Sequence, residues 1–227
     1  MRVKMLVLLA ILAVFTWVPG AFATITGSLS SSSGGGVVAT DGYDSGGFTI
    51  SWTITQEAPI GGLQVYDYTY DIYATTKTLS HVIFQVSDNF TADDIFDVSS
   101  SSGGPASGDP QTYTKTSQGG SNPNLPTPPG IFGMKFSPTT TDTSSPYHDM
   151  VNFDSYRAPV EGNFYARDGV EGPSHIDVTA WNTGLDGTGT DYIMVPDTFN
   201  EIPIPPTALL MGSGLLGIMG WRRFRKI

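Results

Sequence analysis

The side chains of this 227-residue chain that could do covalent chemistry are few in kind. Cysteine is absent, which removes thiolate catalysis and disulfides together. A serine triad would have to recruit His81, His148 or His175, and no G-x-S-x-G elbow leads into a helix. No H-x-x-x-H spacing offers a zinc pair. Each histidine therefore reads as a strand or loop residue, no catalytic residue is assigned, and the chain is expected not to be an enzyme.

Carboxylates are plentiful: 17 of the 21 acidic residues are Asp. Three stretches could each turn several oxygens toward Ca²⁺, namely Asp41–Gly47, Ser87–Asp94 and Gly184–Asp191. None has the spacing of an EF-hand loop. Asp beside Gly is also the ordinary composition of a tight turn. The expectation is no cofactor and no metal ligand set, with Ca²⁺ the one ion this composition admits. Aromatic residues raise carbohydrate as a ligand. The row Tyr66, Tyr68, Tyr70 alternates with Asp67 and Thr69 and reads as a core face, whereas Trp181 falls on the polar side of its strand and reads as exposed. Arg157 and Arg167 are expected to bridge carboxylates rather than to contact an acidic glycan.

Charge is distributed by region. All 21 acidic residues lie between Asp41 and Glu201, where only five basic residues accompany them, a formal charge of −16. A surface of that sign repels nucleic acid and anionic lipid, so no nucleic-acid partner is expected.

Period-2 alternation organises this acidic region. Phe48, Ile50, Trp52 and Ile54 share one face against Thr49, Ser51, Thr53 and Thr55. Val82, Phe84 and Val86 form a second such row, Phe132, Met134 and Phe136 a third, and Ile176, Val178 and Ala180 a fourth. Eight to ten short strands separated by Gly, Pro, Asn and Asp predict an all-β fold, an antiparallel, jelly-roll-like β-sandwich. Thr91 and Asp94 have capping-box spacing and predict one helical turn. Ser28–Gly36 reads as a flexible lead-in. Within the polar stretch Ser99–Gly130, "TYTKT" reads as an edge strand that Lys115 helps protect.

The ends differ from the middle. Arg2 and Lys4 precede an apolar run from Met5 to Val18, then Pro19-Gly20 and the A-x-A of Ala21 and Ala23. This is the pattern of a cleaved signal helix, which would leave Thr24 first in the mature chain. At the other end, Thr207–Trp221 is uncharged and mostly apolar, enough for roughly 22 Å of helix at 1.5 Å per residue. Arg222, Arg223, Arg225 and Lys226 follow as a cytoplasmic cationic stop. The expected organisation is a signal peptide (1–23), an extracytoplasmic β domain (24–201) and a terminal segment with a short transmembrane helix (202–227).

That terminal segment, "IPIPPTALLMGSGLLGIMGWRRFRKI", resembles the PEP-CTERM sorting signal of exported bacterial proteins. In that family a Pro-Glu-Pro-type motif precedes a short transmembrane helix and an arginine-rich cluster. Pro203 and Pro205 match the two prolines, and Ile204 stands where glutamate is typical. The resemblance implies a membrane-embedded exosortase as processing partner, residence in the inner membrane with the body outside, and delivery to the envelope or exterior. It also implies an association with exopolysaccharide and biofilm. It covers about 26 residues and implies nothing about the activity of the β domain. The expected role is structural or adhesive, and the alternative is a carbohydrate- or calcium-binding module.

Overall fold

Alternating residues in the middle of the sequence become alternating faces in the computed structural model. It describes residues 22–76, 78–99, 109–116, 122–126, 130–137, 146–168 and 177–196. The predicted signal helix (but for its last two residues), the sorting segment, His175 and Ile176 lie outside the described residues. Among the described residues no helix is long and apolar enough to cross a membrane.

One sheet has the order β1 (Thr24–Ser30), β3 (Phe48–Ile60), β4 (Leu63–Ala74), β9 (Tyr147–Ser155), β6 (Ile95–Ser99). A second has the order β2 (Val37–Ala39), β12 (Thr179–Asn182), β11 (Phe164–Arg167), β5 (His81–Gln85), β8 (Ile131–Phe136), β7 (Gln111–Tyr113). A ribbon of β10 (Pro159–Gly162) and β13 (Ile193–Pro196) completes the body. Among the described residues every pairing of these strands is antiparallel, so the all-β antiparallel expectation holds.

The inner face of the first sheet is the predicted one. Ile50 opposes Ile72, Trp52 opposes Tyr70 and Ile54 opposes Tyr68 in register, and all six are buried. Val82, Phe84, Met134, Phe136, Phe164 and Ala166 face them from the second sheet in one continuous core. Rings stack across the gap: Tyr70 on Phe84 at 4.1 Å, Phe153 on Phe136 at 5.6 Å, Phe48 on Phe164 at 5.9 Å between centroids. Such pairs each add about 0.5–1.5 kcal/mol beyond the area they bury. The tyrosine hydroxyls do not stay unpaired in that apolar layer. Tyr68 donates to the Arg157 carbonyl at 2.8 Å and Tyr70 to the Met194 carbonyl at 2.7 Å, which pins the ribbon region to the sheet.

A second cluster lies on the outer face of the second sheet. Ile83, Tyr165 and Trp181 form a cluster there with Tyr113, Ile131 and Leu125, and Leu185 packs alongside. The Asn122–Pro126 stretch is held over that face by Tyr165, whose hydroxyl donates to the Pro123 carbonyl at 2.7 Å, and by Asn124, whose amide donates to Thr179 Oγ1 at 3.2 Å.

Two expectations change. Trp181 is not exposed: it is 8 % accessible, and its indole N–H donates to Asp186 Oδ2 at 2.8 Å. Its side of the strand is polar in sequence, yet a loop and the helical turn Thr183–Asp186 close over it. The lead-in is not loose throughout either, because Ser28–Ser30 belongs to β1, paired along its whole length with β3. Gly27 makes that pairing possible. A Cβ there would sit 2.1 Å from Trp52 Cζ2, so the bare backbone lets the indole lie against β1. The "TYTKT" stretch does give an edge strand, β7, with Lys115 in the turn just beyond it.

Candidate functional site

The ribbon strands, the loop after β5 and the start of β8 enclose an open groove of about 470 Å³. Its floor is apolar: Val86, Phe132, Val160, Val195 and Pro196. Its rim is polar: Gln85, Ser87, Asp88, Asn89 and Glu161. Phe132 is half-buried, offering part of its ring, while Asp88, Asn89 and Glu161 are exposed.

Local chemistry fixes each wall. Gln85 cannot swing, because its Oε1 accepts from the Asn163 backbone N–H at 2.9 Å and from Asn163 Nδ2 at 2.7 Å. The amide chain continues inward. Asn182 donates Nδ2 to Asn163 Oδ1 at 2.8 Å and to the Asp191 carbonyl at 2.7 Å, with Asn182 fully buried. Such a network holds a wall only while every member is satisfied. At Gly162 a Cβ would come 2.3 Å from Val195 Cγ2, so glycine lets the two ribbon strands close up beside the groove.

The Ser87–Asn89 rim is held from behind by Arg157. Its Nε donates to Asp94 Oδ1 at 2.8 Å, and its Nη2 donates to Asp94 Oδ2 at 2.9 Å and to the Asn89 carbonyl at 3.1 Å. The guanidinium also lies 5.7 Å from the centre of the Phe90 ring. The predicted turn is a 3₁₀ turn, Ala92–Asp94, closed by the Thr91/Asp94 capping box. Burial would raise the pKa of Asp94, but Arg157 and the Thr91 N–H more than offset it and hold the carboxyl below its usual range.

The expected bridging roles of the arginines are both present, since Arg167 pairs with Asp177 at 3.3 Å. The two described histidines, His81 and His148, lie on different sheets. His81 opens β5, is 2 % accessible and shares a hydrogen bond with Asn122 Oδ1 at 3.1 Å. Burial, then the charges of Lys135 and Arg167, bring its pKa down to about 3, against the Asn122 bond, so it is neutral at physiological pH. His148 sits on the exposed face of β9 against Asp71.

Two of the three Asp-rich stretches engage carboxylates within the fold, and the third forms a turn. Asp41–Tyr43 is a 3₁₀ turn. Asp94 serves Arg157. Asp186 takes the Trp181 indole N–H on one oxygen and the Thr188 N–H and hydroxyl on the other, while Asp191 Oδ2 accepts from Thr183. Among the described residues no three His, Asp or Glu side chains gather closely enough to hold a metal ion.

Of the residues singled out for processing, Ala23 is described. It is exposed, and its carbonyl accepts from the Gln56 N–H at 2.9 Å, directly before β1. Ala21, the Pro203–Ile204–Pro205 motif and the cationic stop lie outside the described residues. The groove itself had no signature in the sequence, because its walls come from four separated segments. Comparison with protein-family models, curated proteins and solved structures finds no match.

Proposed function

We propose that this is an exported protein, anchored in the inner membrane by its C-terminal segment until an exosortase-type protease processes it at Pro203–Ile204–Pro205. In this reading the body is a jelly-roll-like sandwich with a structural or adhesive role in the envelope or extracellular matrix, in contact with exopolysaccharide. The observation that carries the adhesive role is the outer face of the five-stranded sheet. There Thr26, Thr53, Thr69 and Asn152 stand in one cross-strand row, flanked by Thr24, Thr55, Asp67, Asp154 on one side and Ser28, Ser51, Asp71, Met150 on the other. None of these side chains is in the buried core, and together they offer hydroxyls and carboxylates at strand spacing, about 4.8 Å apart. Hydroxyls that both donate and accept suit a hydrated, hydroxyl-rich polymer.

The groove favours a second reading, a defined glycan site with Phe132 as stacking surface and Asp88, Asn89 and Gln85 as polar contacts. Retention of the full chain on purified exopolysaccharide, with calorimetry against a glycan panel and Ca²⁺, separates the two. Under the adhesive reading T53V/T55V/T69V loses retention while F132A/D88N keeps it. Saturable one-site binding that F132A/D88N abolishes would replace the first reading with the second.

A further inference from the structure

The backbone of β1 has a direction that its sequence does not advertise. The Ala23 carbonyl and the Ser31 N–H both bond toward β3, to Gln56 and to Phe48, whereas the Ser30 N–H reaches the Gly35 carbonyl at 2.7 Å on the opposite side. Alternation therefore turns the N–H and C=O groups of Thr24, Thr26 and Ser28 away from β3. Among the described residues no strand pairs with them. A row of strand donors and acceptors at a sheet edge is a template for another strand.

The other edges of the two large sheets are blunted and this one is not. β6, at the far side of the same sheet, is broken by a register shift between Phe96 and Ser99, with Asp97 at φ 48°. The edge strands of the second sheet, β2 and β7, are three residues each. β1 is seven residues long and straight in register, and Thr24–Thr40 contains no charged side chain and no proline. In a chain of net charge −10, two copies repel over most of their surfaces but not here.

We propose that β1 is a homotypic assembly edge, pairing antiparallel with β1 of a second copy about a two-fold axis at Thr26. This register matches Thr24 with Ser28, Thr26 with Thr26 and Ser28 with Thr24, so every outward backbone group of the three residues is bonded and Ser30 keeps its bond to Gly35. On the inner face it sets Ile25, 36 % accessible, opposite Gly27 of the second copy, where the Trp52 ring already fills the place of a side chain. On the outer face it joins the two hydroxyl rows into one ten-stranded surface. A two-fold contact of this kind is self-complementary and closes as a dimer. The area is below that of a standard stable interface, so the association is concentration-dependent.

The test uses the protein as exported from a bacterial host, at high micromolar concentration. Directly opposed, hydrogen-bonded residues have Cα atoms about 5.5 Å apart, within disulfide range. Because the chain has no cysteine, T26C can cross-link only to another copy. The expected result is rapid oxidation of T26C to a covalent dimer, slow oxidation of T53C, which is exposed one strand further in, and loss of the sedimenting dimer in T26K with an unchanged thermal transition. T26P removes an outward N–H without touching the β3 ladder and should do the same. A T26C cross-linking rate no greater than that of T53C, a monomer at all concentrations, or a dimer that persists in T26K would each overturn the proposal.

Discussion

Arg157 grips Asp94 with two parallel hydrogen bonds of 2.8 and 2.9 Å, and these two residues are 63 positions apart. The pair joins the turn before β6 to the segment leaving β9. A third bond, from Arg157 to the Asn89 carbonyl, carries the same restraint to the groove rim. Arg157 is also fixed from its backbone side, its N–H donating to Ser155 Oγ at 3.0 Å and its carbonyl accepting from Tyr68.

Removing one partner of this pair leaves a largely buried charge without its counterpart, which costs about 3 kcal/mol. R157A should therefore lower the thermal midpoint by roughly 6–12 °C for a body of this size. R157M/D94L, which removes both charges, should recover much of that loss. Calorimetric melting of the two variants measures it directly.

His81 gives the acid limb of stability a defined cause. Its pKa is about 3 in the fold against an ordinary value of 6.5, so between those values the unfolded chain binds a proton that the folded chain does not. Stability then rises with pH across this window, and is lost as pH falls from about 6.5 toward 3. The effect is on the order of 5 kcal/mol at its fullest. H81Q should flatten this limb in denaturant titrations carried out between pH 3 and 7.

Asp154 acts with the opposite sign. It faces Asp67 directly across β4 and β9, and burial, then Asp67, Asp97 and Glu57, lift its pKa to about 6. The folded chain holds this proton more tightly than the unfolded one, so the contribution is favourable below about pH 4 and is lost as pH rises through 6. D154N should stabilise the protein at pH 7–8, by on the order of 1 kcal/mol once solvent screening is allowed for. The gain should vanish near pH 4, and urea midpoints at the two pH values check it.

Trp181 anchors the outer cluster of the second sheet, and its loss would open that cluster to water. W181A should cost about 3–5 kcal/mol. W181F should cost less, since it keeps most of the packing and forfeits the bond to Asp186. Hydrogen exchange should show the added opening in β12 and in the Asn122–Pro126 stretch rather than in β3 or β4.

Alternation made the inner faces of β3, β4, β5 and β8 readable from residues alone, because both neighbours of each strand demand the same apolar row. It could not reveal that Trp181 is covered. Period 2 says which side a residue takes, and only the chain path says whether that side meets water. β1 was obscured for another reason. "TITGSLS" runs into Ser and Gly without a break, and its pairing rests on Gly27 accommodating Trp52, a contact between residues 25 positions apart. The capping box at Thr91 was legible as a local motif, while its ion-pair partner Arg157 was not, since nothing nearby in sequence points to it. The groove needs Gln85, Phe132, Val160 and Val195 brought together, which is a property of the sheet order.

The central claim, export followed by C-terminal sorting, is tested most directly by intact-mass analysis of the protein recovered from its native cells, where these contain an exosortase. The account predicts loss of residues 1–23, a first residue Thr24 at the start of β1, and a new C-terminus near Pro203–Pro206. A polypeptide still ending at Ile227 in such cells would contradict it.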